Sequence, residues 1–521
     1  MADGNELNPR RGRRQGGRSA NTRRTAAVIR QLPWSLPCNP DRPTEPLDEE
    51  GVQAIHDGAM RVLEEIGIDF LHPEAKQILR RSGCMVSADS DNVRMDRAFV
   101  MEQVRKAPSE FVITPRNPAR KIGVGGNRVL FGNVGSPPNC SDLDRGRRPG
   151  DRAGYQDLIK LTQYFNCIHM MVGYPVEPVD IHPSIRHLDC MFDALTLTDK
   201  PVHAYSLGKE RIEDAMEMVR IAGGLSHEEF NASPRMFTNV NSASPLKWDF
   251  NMLDGPMRMV RRGQPVIVTP FTLSGAMAPV TIPGAVMQQT AEALAAIALL
   301  QLINPGVPVV YGSFTSNVDM TSGAPAFGTP EYIRATQISG QMARFYELPL
   351  RASNACAANC PDAQATWESA FSLWACISSG THIVYHAAGW LEGGLCASYE
   401  KFIMDCEMLQ QLISYMQPMT AGSDELAFDA IEEVGSRGNF FSAKHTLERY
   451  KTAFYTPFIS DLRNFETWQE HGSMATPERA NKLWKEILAG FEAPPLDEAV
   501  REELTAFVEV RKQQGGAPTD Y

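Results

Sequence analysis

Apolar and polar positions alternate in blocks through the middle of this chain. Eight short apolar runs recur between Val129 and His386: NRVLFGNVG (127–135), CIHMMVGYP (167–175), KPVHAYSLG (200–208), RMFTNVNSAS (235–244), QPVIVTPF (264–271), VPVVYGSF (307–314), LPLRASNA (348–355) and THIVYHAAG (381–389). Short, continuous apolar runs suit strands buried on both faces, as in a parallel sheet. Each run gives way to a stretch with helical periodicity, such as GAVMQQTAEALAAIALLQLI (284–303). In TPEYIRATQISGQMARFY (329–346), Thr329 can cap a helix, Pro330 fits its first position and Glu331 suits the positive end of the dipole. Spacings of about 30–45 residues leave room for one crossover helix per strand. The pattern predicts a closed (β/α)8 TIM barrel, an α/β fold, with helical N- and C-terminal additions. A doubly wound open sheet is the alternative. Against it, no G-x-G-x-x-G opens a helix after a strand, and the near-match Gly-Val-Gly-Gly at 123–126 precedes a strand and reads as a turn.

The barrel is expected over 109–418, preceded by a helical extension at 34–108 and followed by a helical, charged region at 419–521. Residues 1–33 are Arg-rich and apolar-poor, which predicts a disordered basic arm. A nuclear signal or an RNA-binding tail is the sharper alternative for that arm. Composition adds exclusions. A hydrophobic content of 43% with 22% charged residues is that of an ordinary globular protein. The net charge of −11 argues against nucleic acid as a main partner. The apolar stretch at 291–303 contains Glu292 and Gln301 and is short for a bilayer span, so no membrane association is expected. No signal peptide is visible, and ten scattered cysteines suit reduced thiols, so the expected location is cytoplasmic.

Chemistry in such barrels sits at the C-terminal strand ends. Those ends carry Phe131, Tyr174, Tyr205, Phe271, Phe314, Asn354, Tyr385 and His386, with Glu392 in the loop after the eighth run. Aromatics and neutral hydrogen-bonding groups dominate, although any one aromatic can equally be core filling. The strand ends hold no lysine for a Schiff base and no Asp/Glu/His set at metal spacing. Cys356, Cys360, His382 and His386 invite a zinc reading. His382 and His386 open and close one strand, roughly 13 Å apart at ~3.3 Å per residue, so they cannot share an ion. No protein-bound metal is expected.

Several long segments carry a resemblance. PGVPVVYGSFTSNVDMTSGAPAFGTPE (305–331), FYELPLRASNACAANCPDAQA (345–365) and GWLEGGLCASYEKFIMDCE (389–407) resemble the trimethylamine methyltransferase family of corrinoid-dependent enzymes. So do SPLKWD (244–249), GQPVIVTPFTLSGAMAPVTIPG (263–284) and QQTAEALAAIALLQLINPG (288–306), the start RRGRRQGGR (10–18), and HTLERYKTAFYTPFISDLRNFETW (445–468). The resemblance implies a TIM barrel that moves a methyl group from an amine to the Co(I) corrinoid (cobalamin) of a separate carrier protein. Founding members of the family place a pyrrolysine in the loop after the seventh strand. Here that loop reads RASNACAAN (351–359) without it, which implies quaternary amines such as betaines rather than trimethylamine. The expected substrate-binding residues are Phe131, Tyr174, Tyr205, Phe271, Phe314, Asn354, Tyr385, His386 and Glu392. An aromatic ring holds a quaternary cation by about 0.5–2 kcal/mol. Asn354, His386 or a loop arginine such as Arg351 can receive a carboxylate. Glu392 can face the ammonium or serve a helix N-terminus. A homo-oligomer is expected. The alternatives are trimethylamine demethylation without pyrrolysine, a barrel enzyme of another chemistry, and a non-catalytic barrel that binds quaternary amines.

Overall fold

The computed structural model describes residues 29–519. Most of the basic arm expected at 1–33 lies outside the described residues. Residues 29–32 are tied to the body: the Ile29 amide donates to Tyr164 Oη at 3.3 Å, and the Leu32 amide to Gln410 Oε1 at 2.8 Å.

Six apolar runs form strands: β1 (Leu130–Asn133), β2 (Thr238–Val240), β3 (Val266–Val268), β4 (Val309–Gly312), β5 (Leu350–Ser353) and β6 (Ile383–Ala388). They pair in parallel in the order β1-β6-β5-β4-β3-β2. The two remaining runs make only isolated parallel bridges, Gly132 with Met170, Met171 with Val202, and His203 with Phe237. Their sequences explain this. Pro201 has no amide proton to donate, and Gly173 and Pro175 end the preceding run, so few residues are left to pair. The result is a mixed α/β fold on a curled parallel sheet.

One long helix follows each run: α1 (Arg152–Tyr164), α2 (Pro183–Leu197), α3 (Lys209–Ala222), α4 (Phe250–Arg261), α5 (Ile282–Ile303), α6 (Pro330–Phe345), α7 (Ala363–Ser379) and α8 (Tyr399–Tyr415). The predicted cap holds: Thr329 Oγ1 accepts from the Tyr332 amide at 3.3 Å, with Pro330 first in the helix. Helix α5 spans 22 residues and is long and apolar enough to cross a bilayer. Here it is buried in the protein, and its polar groups are bonded internally. Glu292 accepts from the Ser244 hydroxyl at 2.6 Å and the Leu246 amide at 2.8 Å, which fixes the loop after β2.

Alternation along the strands splits the core into two layers. Phe131, Val240, Val268, Tyr311, Leu350 and Val384 face the helices. Leu130, Met170, Phe237, Ile267, Val310 and Ile383 pack on the inner side. A hairpin of Phe111–Ile113 and Ile122–Val124 adds Ile113, Ile122 and Val124 to that inner cluster at the N-terminal strand ends. The glycine pair at 125 and 126, with φ of 108° and 62°, turns the chain after this hairpin toward β1, while Gly123 and Val124 of the motif read as a turn belong to the hairpin's second strand. Each such buried side chain contributes about 1.5–3 kcal/mol.

Candidate active site

The hairpin packs the N-terminal strand ends, and the candidate residues lie at the C-terminal ends. There, β6 departs from regular pairing. Val384 pairs with Phe131 but Ala388 with Asn133, so extra residues bulge between them. The bulge holds His386 at φ 55°, in the left-handed region. Bulges and positive φ at a non-glycine residue cost energy and concentrate at functional sites. The Gly135 amide donates to His386 Nδ1 at 3.1 Å. A Cβ at Gly135 would come within 2.7 Å of the Val172 carbonyl, so glycine is needed for this approach. Because Nδ1 accepts, the ring proton sits on Nε2. Burial, then the nearby Arg351 and His203, push the His386 pKa well below its ordinary value, so the imidazole is neutral.

Aromatic rings surround His386. Trp390 lies 4.0 Å from it, Tyr385 5.6 Å and Phe314 6.1 Å between centroids. Phe314 packs against Phe271 at 5.0 Å and Phe327 at 5.5 Å. A second pair, Tyr174 and Tyr205, meets edge-to-face at 4.4 Å, and the Tyr205 hydroxyl bonds Ser136 Oγ. Of the expected site residues, Phe271, Phe314, Tyr385 and His386 thus share one set of ring contacts, while Tyr174 and Tyr205 form a separate pair that extends to His203. Asn354 is buried beside it: its Nδ2 donates to the Ala387 carbonyl at 3.1 Å, and its Oδ1 has no partner.

Two expected residues are placed elsewhere. Phe131 points outward from β1 into the helix layer, fully buried with its ring 5.8 Å from His169. Strand alternation forces this, because Leu130 faces the inner cluster. Glu392 is engaged by Arg147, whose Nε donates to both carboxylate oxygens at 3.0 Å. Its charge is thus neutralised within the chain.

Arg351 is on strand β5, not on a loop, and it points inward. It is 2% exposed. Its guanidinium carbon lies 4.3 Å from the Tyr385 ring centre and 5.1 Å from that of Phe314. Nη1 donates to the Ser313 carbonyl at 3.1 Å, while Nε has no partner. Among the described residues no carboxylate pairs with it, and burial lowers its pKa to about 10. Two more donors are buried without partners: the Tyr385 hydroxyl and His203 Nδ1, the latter protonated because His203 Nε2 accepts from the Asn239 amide at 3.1 Å. Three unpaired donors with no facing carboxylate make this interior receptive to an anion.

Sequence reasoning missed His203, Phe327 and Trp390. His203 lies inside its run, two residues before the run's end at Tyr205. Phe327 and Trp390 lie beyond the strand ends, and only their loops bring them in. Among the described residues no group of three or more His, Cys, Asp or Glu side chains clusters as a metal site. His382 bonds the Leu350 amide and the Gly126 carbonyl at the N-terminal end, far along β6 from His386.

The fold and site define an α/β protein whose C-terminal strand ends carry aromatic faces beside buried donors that have no partner. The chain belongs to the trimethylamine methyltransferase (MTTB) family, whose model matches residues 13–516. It is 37% identical over 471 residues to a glycine betaine methyltransferase of Desulfitobacterium hafniense, covering 90% of this chain and 98% of that one. It is 29% identical to the trimethylamine methyltransferase MttB of the same species, covering 90% and 94%. A proline betaine:corrinoid methyltransferase of Eubacterium limosum is 28% identical, covering 88% and 96%. Like these relatives, the chain is a methyltransferase.

Proposed function

We propose that this protein transfers a methyl group from a betaine, a quaternary ammonium carrying a carboxylate, to the Co(I) corrinoid of a separate carrier protein. The observation that carries this reading is Arg351, a buried guanidinium with no carboxylate partner among the described residues. An isolated buried charge is costly, and a substrate carboxylate is the natural counter-ion. Trimethylamine and choline bring none.

The ammonium end belongs with the rings. Phe314 lies beside Arg351 and touches Phe271, so cation and anion sites adjoin, as a short zwitterion requires. A carboxylate between Arg351 and the ammonium separates two positive charges. Tyr385 Oη, His203 Nδ1 and the Nε2 proton of His386 are further donors along the interior. The corrinoid supplies the nucleophile: the C–N bond breaks, its electron pair stays on nitrogen, and a neutral tertiary amine leaves. No proton moves, which suits a site whose histidines are held neutral. What the chain supplies is alignment of one methyl toward the open end. Where founding family members carry pyrrolysine, the loop holds Asn354 to Cys356, and the Trp390 indole donates to the Cys356 carbonyl at 3.1 Å, which ties that loop to the cage.

The same reading takes the sheet as a closed (β/α)8 barrel over 109–418. Parallel bridges link Gly132 through Met170, Met171, Val202 and His203 to Phe237, joining the two edges of the six-stranded sheet. All ten cysteines are free thiols, which supports a reducing, cytoplasmic setting.

The test is demethylation of glycine betaine, proline betaine, choline and trimethylamine with cob(I)alamin, followed by loss of the cob(I)alamin absorbance. Turnover of a betaine is expected. Efficient use of trimethylamine with no response to any betaine overturns the reading.

A further inference from the structure

Residues 417–458 form an arm that the active site does not use, although the sequence singles out part of it within 445–468. The chain leaves α8 at Met416 and is anchored again where the Phe458 and Ile459 amides donate to Glu407 Oε2 at 2.9 and 3.0 Å. Between these anchors the buried residues are Ala430 and Ala443 alone. Near its base the Tyr455 hydroxyl donates to Glu407 Oε1 at 2.9 Å, whereas over 422–452 the arm's bonds are internal, as in the pairing of Arg449 with Asp424 at 2.9 Å. Yet it is rich in apolar side chains. Phe428 is 70% exposed, Phe441 87% and Phe454 82%, and nine large apolar side chains in all stand exposed along it. A soluble segment gains nothing from displaying them singly to water, and a patch this size marks an interface.

A matching surface lies on the same chain. A groove of about 880 Å³ runs between α7 and α8, lined by Leu373, Met404, Met408 and Ile459 among others, with Trp374 and Tyr415 at its lip. On the outer face of α7, Trp367, Phe371 and Trp374 form an i, i+4, i+7 stripe, each about half exposed. Ile459, at the arm's own base, lines this groove, so the arm stands beside it with its apolar faces turned to solvent.

We propose that two copies of the chain exchange this arm, residues 417–458 of each covering the α7–α8 face of the other. A two-fold axis lets one contact cover both surfaces in both copies. At roughly 100 Å² of exposed area per large apolar side chain, the nine on the arm and four on the face bring on the order of 2,500 Å² into a reciprocal pair. A standard stable interface needs about 1,200–2,000 Å². The groove's upper end is Pro361, Asp362 and Ala363, immediately after the loop that carries Asn354, so the exchanged arm braces that loop from outside.

The experiment uses the full chain with the exposed Cys38 and Cys360 replaced by serine. Phe441→Cys is placed in one sample and Phe371→Cys in another, and the two are mixed and treated with a short bismaleimide. A cross-linked band at twice the chain mass from the mixture, with sedimentation as a dimer or a multiple of one, is expected. Phe371→Asp and Trp367→Asp, both at exposed sites, should each weaken association about thirtyfold or more with unchanged circular dichroism. Sedimentation as a monomer at micromolar concentration overturns the proposal. So does cross-linking confined to single chains carrying both cysteines, which would mean that the arm closes over its own groove. Association altered less than threefold by both aspartates overturns it as well.

Discussion

The Arg351 guanidinium lies 4.3 Å from the centre of the Tyr385 ring, across the pairing of β5 with β6. The two side chains share one property: each buries a donor that finds no partner, Nε of Arg351 and the hydroxyl of Tyr385. A ring face offsets part of the cost of a buried cation, about 0.5–2 kcal/mol. It does not replace a counter-ion.

Replacing Arg351 therefore separates substrate binding from stability. Arg351→Met keeps the volume and removes the charge. The KM for a betaine should rise by about 30- to several thousandfold, equivalent to about 2–5 kcal/mol for one lost partner of a buried pair. The ligand-free protein should melt at the same temperature or higher, because an uncompensated charge has been removed. A variant that unfolds several degrees lower and keeps its KM would assign Arg351 to structure instead.

The same residue sets a pH signature. Burial lowers Arg351 to about 10 in the free protein. Below that pH the guanidinium is charged and can hold a carboxylate; as pH rises through about 10 the charge is lost and betaine affinity should fall. His386 is pushed the other way from physiological pH, well below its ordinary value. Already neutral from pH 6 upward, it should add no acidic limb. Calorimetric titration of a betaine without corrinoid should show affinity level from pH 6 to 9 and falling above. A fall centred between pH 6 and 7 would contradict the neutral imidazole.

The repeating unit was legible because period and length both survive in the sequence: six of the eight apolar runs are strands of the sheet, the other two bridge to it at single residues, and a long helix follows each run. Runs two and three were over-read as full strands, since Pro201 and Gly173 permit pairing only at single residues. The position of a side chain at the strand ends was legible where a regular strand precedes it, as at Phe314 after β4. It was not legible where alternation or loop geometry decides. Phe131 faces outward by parity with Leu130. Arg351 faces inward by the same rule, though its place beside loop residues suggested a loop. Trp390 and Phe327 enter through loops whose path no periodicity encodes, and the pairing of Arg147 with Glu392 joins positions 245 residues apart.

The cage gives a smaller, graded effect. Phe314→Leu and Trp390→Leu keep apolar bulk and lose the ring face, and Tyr205→Leu does the same on the opposite side. Each should reduce kcat/KM for a betaine about 2- to 30-fold, the equivalent of about 0.5–2 kcal/mol. His386→Ala should affect a betaine more than a choline-like cation, because the Nε2 donor serves the carboxylate. Equal losses on both substrates would place His386 with the cation instead.

A last prediction concerns the buried Lys401–Asp405 pair on α8, where both side chains are inaccessible to solvent. Asp405 also accepts from the Gly389 amide at 2.8 Å, just past the bulge that holds His386, and Lys401 donates to Ser369 Oγ on α7 at 2.7 Å. The pair thus clamps two outer helices to the end of β6. Removing one partner leaves the other charge buried alone, which costs about 3–5 kcal/mol. Lys401→Met and Asp405→Leu should each destabilise the protein by that order in urea unfolding. The double variant should lose less than the two singles combined, because no orphaned charge remains. A double variant as unstable as the sum of the singles would show that the two side chains act independently, and that Asp405 matters through Gly389 alone.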